Sequence, residues 1–281
     1  MNKDISKVDN IKEYMYYFDS ITDTYRYIMD NKKEIPSGAS TLKRDKFYGG
    51  ISFKEALKRL LNGDEELAKD INNIKIDGIV AEKLTFKYIN DIQGVVPNVP
   101  NFLMGLPQSM VRMQRTKIKS SQKILNLVFD ISVSCMITKE EYMQVSKLFL
   151  DVIDKVEKMG YRCNLYIAAV SVSESEKFMN TFLIKLKNSN ELFNRYKCSF
   201  VLGHMSMFRR IMFRLIELAD ENDINVEFYS GYGTVTNRNL VKKTVEDTFK
   251  INHISFENFK IFRIYDYINT NEQIIINKIV K

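Results

Sequence analysis

Tryptophan is absent from this 281-residue chain, and histidine, cysteine and proline are scarce, at two, three and four residues. His204 and His253 lie far apart and neither has a metal-ligating partner three or four positions away, so no histidine-based zinc motif is present. Cys135, Cys163 and Cys198 are odd in number and form no CxxC pair, which excludes a disulfide framework or a zinc ribbon. Their apolar, strand-like surroundings predict buried, reduced thiols in a cytosolic protein. No apolar run reaches about 18 residues, so no membrane-spanning helix is expected. The start, MNKDISKVDNIKEY, lacks the apolar core of a secretory signal. The P-loop pattern GxxxxGK[ST] and a GxGxxG with a following acidic partner are both missing; SGYGTVT (230–236) reads as a tight turn.

What the chain has is a 45% hydrophobic content, enough for a substantial core, and a net charge of +7. A basic balance permits nucleic-acid binding but speaks to solubility and association rather than to fold. The abundance of Lys, Asn and Ile matches the codon bias of an AT-rich genome.

Three of the four prolines fall in GVVPNVPNFLMGLP. Proline lacks an amide donor and holds its predecessor extended, so residues 94–119 are expected to be a junction loop with little regular structure. Before it, residues 1–93 read as a smaller, mainly helical region. SITDTYRYIMDN has helical spacing, and ISFKEALKRLLNGDEELAKDINN reads as two helices broken at Gly63. Ser52 and Glu55 form a capping box, and Asp64 caps the second helix.

After the junction, residues 120–281 alternate strands with helices, which implies an α/β domain with a mostly parallel sheet flanked by helices. KILNLVFDIS reads as a central strand. The following helix starts at a Thr138–Glu141 capping box and ends at Gly160. YRCNLYIAAVSVS and KFMNTFLIKLK form an antiparallel hairpin. KCSFVLG is a fourth strand, SMFRRIMFRLIELADEN a helix with a basic outer face, INVEFYSGYG a fifth strand, NLVKKTVEDTFK a helix and FKIFRIYDYI a last strand.

Asp130, Ser132 and Ser134 occupy alternate positions where the first of these strands ends, at the edge where open α/β sheets place ligands. One carboxylate and two hydroxyls are hard donors that suit Mg²⁺ or Mn²⁺. This DxSxS pattern, in its strand–helix–hairpin context, resembles the metal-ion-dependent adhesion site of von Willebrand factor A-type domains, over roughly residues 120–275. The resemblance implies a Rossmann-like sheet and two further ligands, a Thr after the hairpin and an Asp after the fourth strand. Neither is found: VLGHMSMFRR offers Gly203, His204 and Ser206 but no carboxylate, and LKNSNEL offers Ser189. The implied Mg²⁺ site is therefore degenerate, with Asp130 bracing the loop and Ser132 and Ser134 bonding backbone. FYGGISFKEALKRLLNGDEE, VVPNVPNFLMGLPQSMV and FVLGHMSMFRRIMFRLIE are together similar to a family of bacteriophage proteins with a von Willebrand A-like C-terminal half.

These readings predict a non-enzymatic protein in the cytoplasm of a phage-infected host. It would take no cofactor and contact no membrane. A phage or host protein, a defence protein among the candidates, would dock on the edge formed by Asp130, Ser132, Ser134, Gly203, His204 and Ser206, with Gly231–Gly233 beside it. One alternative is nucleic-acid binding through 112–123 and 209–214, led by Arg112, Arg115, Lys117, Lys119, Arg209 and Arg210. Another is a Mg²⁺-dependent hydrolase centred on Asp130. An Asp130–His204–Cys135 nucleophilic constellation has no local signature.

Overall fold

The computed structural model describes residues 2–8, 11–31, 46–72, 82–119, 124–173, 178–219, 234–255 and 259–267. It divides into two compact units. One contains residues 1–76, 124–157 and 162–281, and the other contains 77–123 with 158–161.

The larger unit is α/β, as the alternation of elements predicts. Its sheet is built from β1 (Asn2–Val8), β2 (Ile11–Phe18), β6 (Ile124–Asp130), β7 (Arg162–Ser173), β8 (Phe178–Lys187), β9 (Thr234–Val235) and β10 (Phe259–Arg263). The strand order is β1-β2-β8-β7-β6-β10, with β9 paired to β7. β2 with β8, β6 with β7 and β6 with β10 are parallel; β1 with β2, the β7–β8 hairpin and the short β9 are antiparallel.

Alternating side chains of each strand feed opposite layers. Val128, Tyr166, Leu183 and Ile261 pack against Val241, Val245 and Phe249 of α8 (Arg238–Ile251) on one face. On the other, Phe129 and Phe262, level in the β6–β10 register, pack around Phe149 of α5 (Lys139–Lys158). Each large apolar side chain buried in this way contributes about 1.5–3 kcal/mol.

Ser20 caps α1 (Ile21–Asp30). The expected caps form, the Ser52–Glu55 box by half: Ser52 accepts the Glu55 N–H at the start of α2 (Phe53–Asn62), while the Glu55 carboxylate pairs with Arg59. Asp64 Oδ1 accepts two amides at the start of α3 (Glu65–Asn72), and Gly63 makes the bend between them at φ +78°. Thr138 and Glu141 form a reciprocal box, each accepting the other's N–H, and Gly160 follows α5 at φ +90°.

Three expectations are corrected. The mainly helical N-terminal region begins instead with β1 and β2, which enter the main sheet. Tyr14 to Phe18 are all buried, because β2 is covered on both faces: Tyr17 packs into the α8 layer, Tyr16 reaches the Ala219 carbonyl and Phe18 meets Tyr27, so no two-residue alternation marks it. KCSFVLG is not a strand but lies in α6 (Arg195–Gly203), capped by Asn194, which accepts the Lys197 N–H at 3.1 Å. Cys198 to Gly203 are buried, and an apolar run without a polar face has the same pattern in a strand and in a buried helix. The helix after it has no basic outer face. It opens with a π-helical stretch, Met207–Met212, continues as α7 (Phe213–Ala219), and buries Arg209, Arg210 and Arg214. INVEFYSGYG and Gly231–Gly233 lie outside the described residues.

The smaller unit corrects the junction loop. Residues 94–119 contain β4 (Val96–Pro97), α4 (Val99–Leu103) and most of β5 (Met110–Lys119), which pairs with β3 (Glu82–Asp91) over ten residues in the order β3-β5-β4. Asn98 caps α4 by accepting the Asn101 N–H. Gly94 is needed because a Cβ there would meet the Val111 carbonyl oxygen at 2.3 Å.

Candidate functional site

Asp130 is the last residue of β6, level with Ala168 of β7 and Arg263 of β10. Its side chain is wholly buried. Oδ1 accepts the Ser132 N–H at 3.0 Å and Oδ2 accepts Arg263 Nε–H at 3.2 Å. Burial pushes the carboxyl up to about 6, against the opposing pull of Ser132 and of the Arg263 cation. Arg263 is itself buried and also donates to the Thr236 carbonyl at 2.7 Å.

The two serines are equally occupied. Ser132 Oγ accepts the Val170 N–H at 3.0 Å, tying the loop to β7, and Ser134 Oγ accepts the Met136 N–H at 3.4 Å. Tyr142, in the first turn of α5, buries a hydroxyl without a hydrogen-bond partner near Asp130 and Arg209.

A second layer seals this edge. Arg209 donates through Nη2 to the carbonyls of Ser134 (2.9 Å) and Ile137 (3.1 Å), and through Nη1 to that of Phe47 (2.8 Å). Its guanidinium lies 4.3 Å from the Phe47 ring centroid, and that of Arg210 lies 4.0 Å from that of Tyr48. Arg210 Nε donates to the Ile51 carbonyl, and Ser206 Oγ donates to that of Tyr48. Residues 47–51 are thus drawn down onto the edge. Gly49, at φ +87°, comes so close that a Cβ would lie 2.9 Å from Ser206 Oγ.

His204, the residue after α6, accepts the Ser206 N–H on Nδ1. Burial lowers its imidazole to about 4, so it is neutral at pH 7. Its ordinary value is about 6.5, so between the two the unfolded chain binds the proton first. Stability attached to this group is complete above about 6.5 and is lost as pH falls toward 4, by up to about 3 kcal/mol. His204→Asn keeps an acceptor for Ser206 and removes the titration. Relative to wild type, urea unfolding should show the variant gaining up to about 3 kcal/mol between pH 7 and pH 4. A difference that does not change with pH would refute this.

The sites expected from sequence are therefore only partly assembled. Asp130, Ser132, Gly203, His204 and Ser206 are all buried, so they cannot be the contact surface; of that set only Ser134 is partly exposed. Arg209 and Arg210 bind backbone carbonyls in the interior and cannot meet phosphates. Arg112 and Arg115 are exposed on β5, where Lys117 and Lys119 continue the strand. Cys163 and Cys198 are buried, with thiols pushed up to about 12, whereas Cys135 is exposed in the turn that follows the end of β6. Asp130, His204 and Cys135 do not form a relay, since Asp130 bonds Ser132 and Arg263 while His204 bonds Ser206.

The residues present do not fit a hard dication. The single carboxylate has both oxygens engaged, the serine hydroxyls are turned to backbone, and the neighbouring β10 position supplies a guanidinium whose charge would repel a cation. Among the described residues no group of three or more His, Cys, Asp or Glu could hold a metal. A cleft of about 740 Å³ between α2, α3 and α6 is lined by Arg59, Asp64 and Tyr196, but there Arg59 is bound by Glu55 and Asp64, which also caps α3.

Sequence reasoning missed Arg263 and the 47–51 segment. The signals were an arginine directly after the apolar pair IF in FKIFRIY and the GG pair in FYGGIS. Among the described residues no helix is long and apolar enough to cross a membrane. Neither a curated protein nor a solved structure matches the chain. A family model does match, over residues 3–276, and the chain belongs to that family, a domain of unknown function designated DUF7192.

Proposed function

We propose that this protein is a non-enzymatic docking module that presents the loop Ser134–Thr138 of its α/β unit to a protein partner. The observation that carries the reading is the clamp made by Arg209. One buried guanidinium holds the carbonyls of Ser134 and Ile137, and the crest of the loop leaves Met136 82% exposed and Cys135 beside it. A loop fixed from beneath loses little entropy on binding, and methionine is enriched at interface cores.

Under this reading the α/β unit is von Willebrand A-like, and Arg263 takes the place of the adhesion site's cation. The order of β6, α5 and the β7–β8 hairpin supports that view, as does the position of Asp130. The partner is a phage or host protein met in the host cytoplasm, a choice resting on composition and on resemblance. The nucleic-acid alternative loses Arg209 and Arg210 to the interior, and the Mg²⁺-dependent hydrolase loses its ion site.

Met136→Asp tests the proposal, because the side chain is exposed and the fold does not need it. Affinity capture from infected cells should recover a stoichiometric protein with the wild-type chain, and about tenfold less with the variant at unchanged melting temperature. Recovery of no such protein, or equal recovery with both, would overturn the reading.

A further inference from the structure

Among the described side chains of the smaller unit none is buried. Ten large apolar ones between Tyr88 and Met113 are exposed, with Val95 at 82% and Leu103 at 78%. Together they present on the order of 1,000 Å² of apolar surface, against about 800 Å² per partner in a standard interface. Eight of the ten fall between Ile92 and Leu106, and monomers rarely expose large apolar side chains in such a cluster.

The crest of this unit, residues 92–111, is also free of charge. Its twenty positions hold no Asp, Glu, Lys or Arg in a chain that is 27% charged. The first charges beside it, Asp91 and Arg112, pair with each other at 2.9 Å. The crest is nonetheless rigidly built. Val95 N–H bonds the Val111 carbonyl, Asn98 N–H that of Ser109, and Leu106 N–H that of Asn101, while the Asn101 side chain holds the Gln108 carbonyl. Three prolines remove three more amides.

We propose that this crest is a homodimerisation surface, packing against the same crest of a second copy of the chain. It does not involve the Ser134–Thr138 loop. Across a two-fold axis the patch meets a copy of itself, so a patch charged with one sign would repel itself and an uncharged apolar one does not. Homodimer interfaces are the more apolar class, whereas recognition of a different protein draws on complementary charge. A lipid surface fits less well, because Asn98, Asn101 and Gln108 are interleaved with the apolar residues, and a fixed shape serves a packed interface. β3 also has no strand on its outer side among the described residues, which leaves it free to extend the sheet.

Sedimentation velocity on the full chain, from about 1 to 100 µM, tests the proposal. The wild type should run at twice the chain mass. Leu103→Asp and Leu103→Lys should each raise the dimer dissociation constant at least about 30-fold at an unchanged melting temperature. A wild type that stays monomeric overturns the proposal, as does a dimer indifferent to both variants. Monomeric wild type that co-sediments with phosphatidylcholine–phosphatidylserine vesicles through Leu103 would assign the crest to lipid instead.

Discussion

Arg263→Met is expected to destabilise the chain by about 3–5 kcal/mol at pH 7, read as a lower urea midpoint at an unchanged slope. Removing one partner of a buried ion pair leaves the other charge uncompensated. Here the remaining group is Asp130, wholly buried, with the N–H and hydroxyl of Ser132 left to face its charge. The pH dependence identifies the cause. In the wild type the Asp130 carboxyl is raised to about 6 from its ordinary 3.8. Between those values the folded chain binds more protons than the unfolded one, so this group's contribution falls as pH rises, by about 3 kcal/mol, and the penalty is complete above about pH 6. Without Arg263 the carboxyl rises further and the decline continues through pH 7. Near pH 4 the carboxyl is neutral in both proteins and the difference between them shrinks. The double variant Asp130→Asn/Arg263→Met, which keeps an acceptor for Ser132, should recover at least half of the loss. A deficit equal at pH 4 and pH 7, or no recovery in the double variant, would refute a charge-pair role for Arg263. In the wild type this trend runs opposite to that of His204 across the same acid window, so the two are separated by variants rather than by the wild-type profile alone.

Arg209→Ala should cost a comparable amount, about 3–5 kcal/mol. The buried guanidinium is the common donor to the carbonyls of Phe47, Ser134 and Ile137 and stacks on the Phe47 ring, so its removal strands acceptors on two segments and opens a cavity beneath them. Arg209→Lys should recover little, because a single ammonium on a flexible stem cannot reproduce a planar fork with donors in several directions. Hydrogen exchange should show the amides of 134–138 and 47–51 opening at least about tenfold faster, with β6 and β7 protected as before. Uniform loosening of the whole sheet, or none, would separate Arg209 from the loop it is held to support.

Helix boundaries were legible where a polar cap or a glycine sits beside a clear helical period, and were missed at Asn98 and Asn194, where it does not. Ser52, Gly63, Asp64, Thr138, Glu141 and Gly160 all act where their side chains or their φ angles require. The α/β class was legible from the alternation of β6, α5 and the β7–β8 hairpin. Elements buried on all sides were not. β2 and α6 each lack a polar face, and without one the period that separates strand from helix vanishes. The arginines of 209–214 misled for a related reason: charge in a sequence reads as surface, and it is backbone carbonyls from residues 47–51 and 134–137, for Arg209 and Arg210, and the Glu217 carboxylate, for Arg214, that make their burial tolerable.

By itself the sequence determined the caps, the apolar strands and the position of Asp130, Ser132 and Ser134 at a strand's carboxyl end, because each follows from neighbours a few residues apart. Only the tertiary structure decided what those residues face. Arg263, 133 residues away, neutralises Asp130, and Val170 takes up Ser132. The partners arrive through sheet register and helix packing, which no local pattern encodes, and they turn a loop shaped like an ion site into one braced from within the fold.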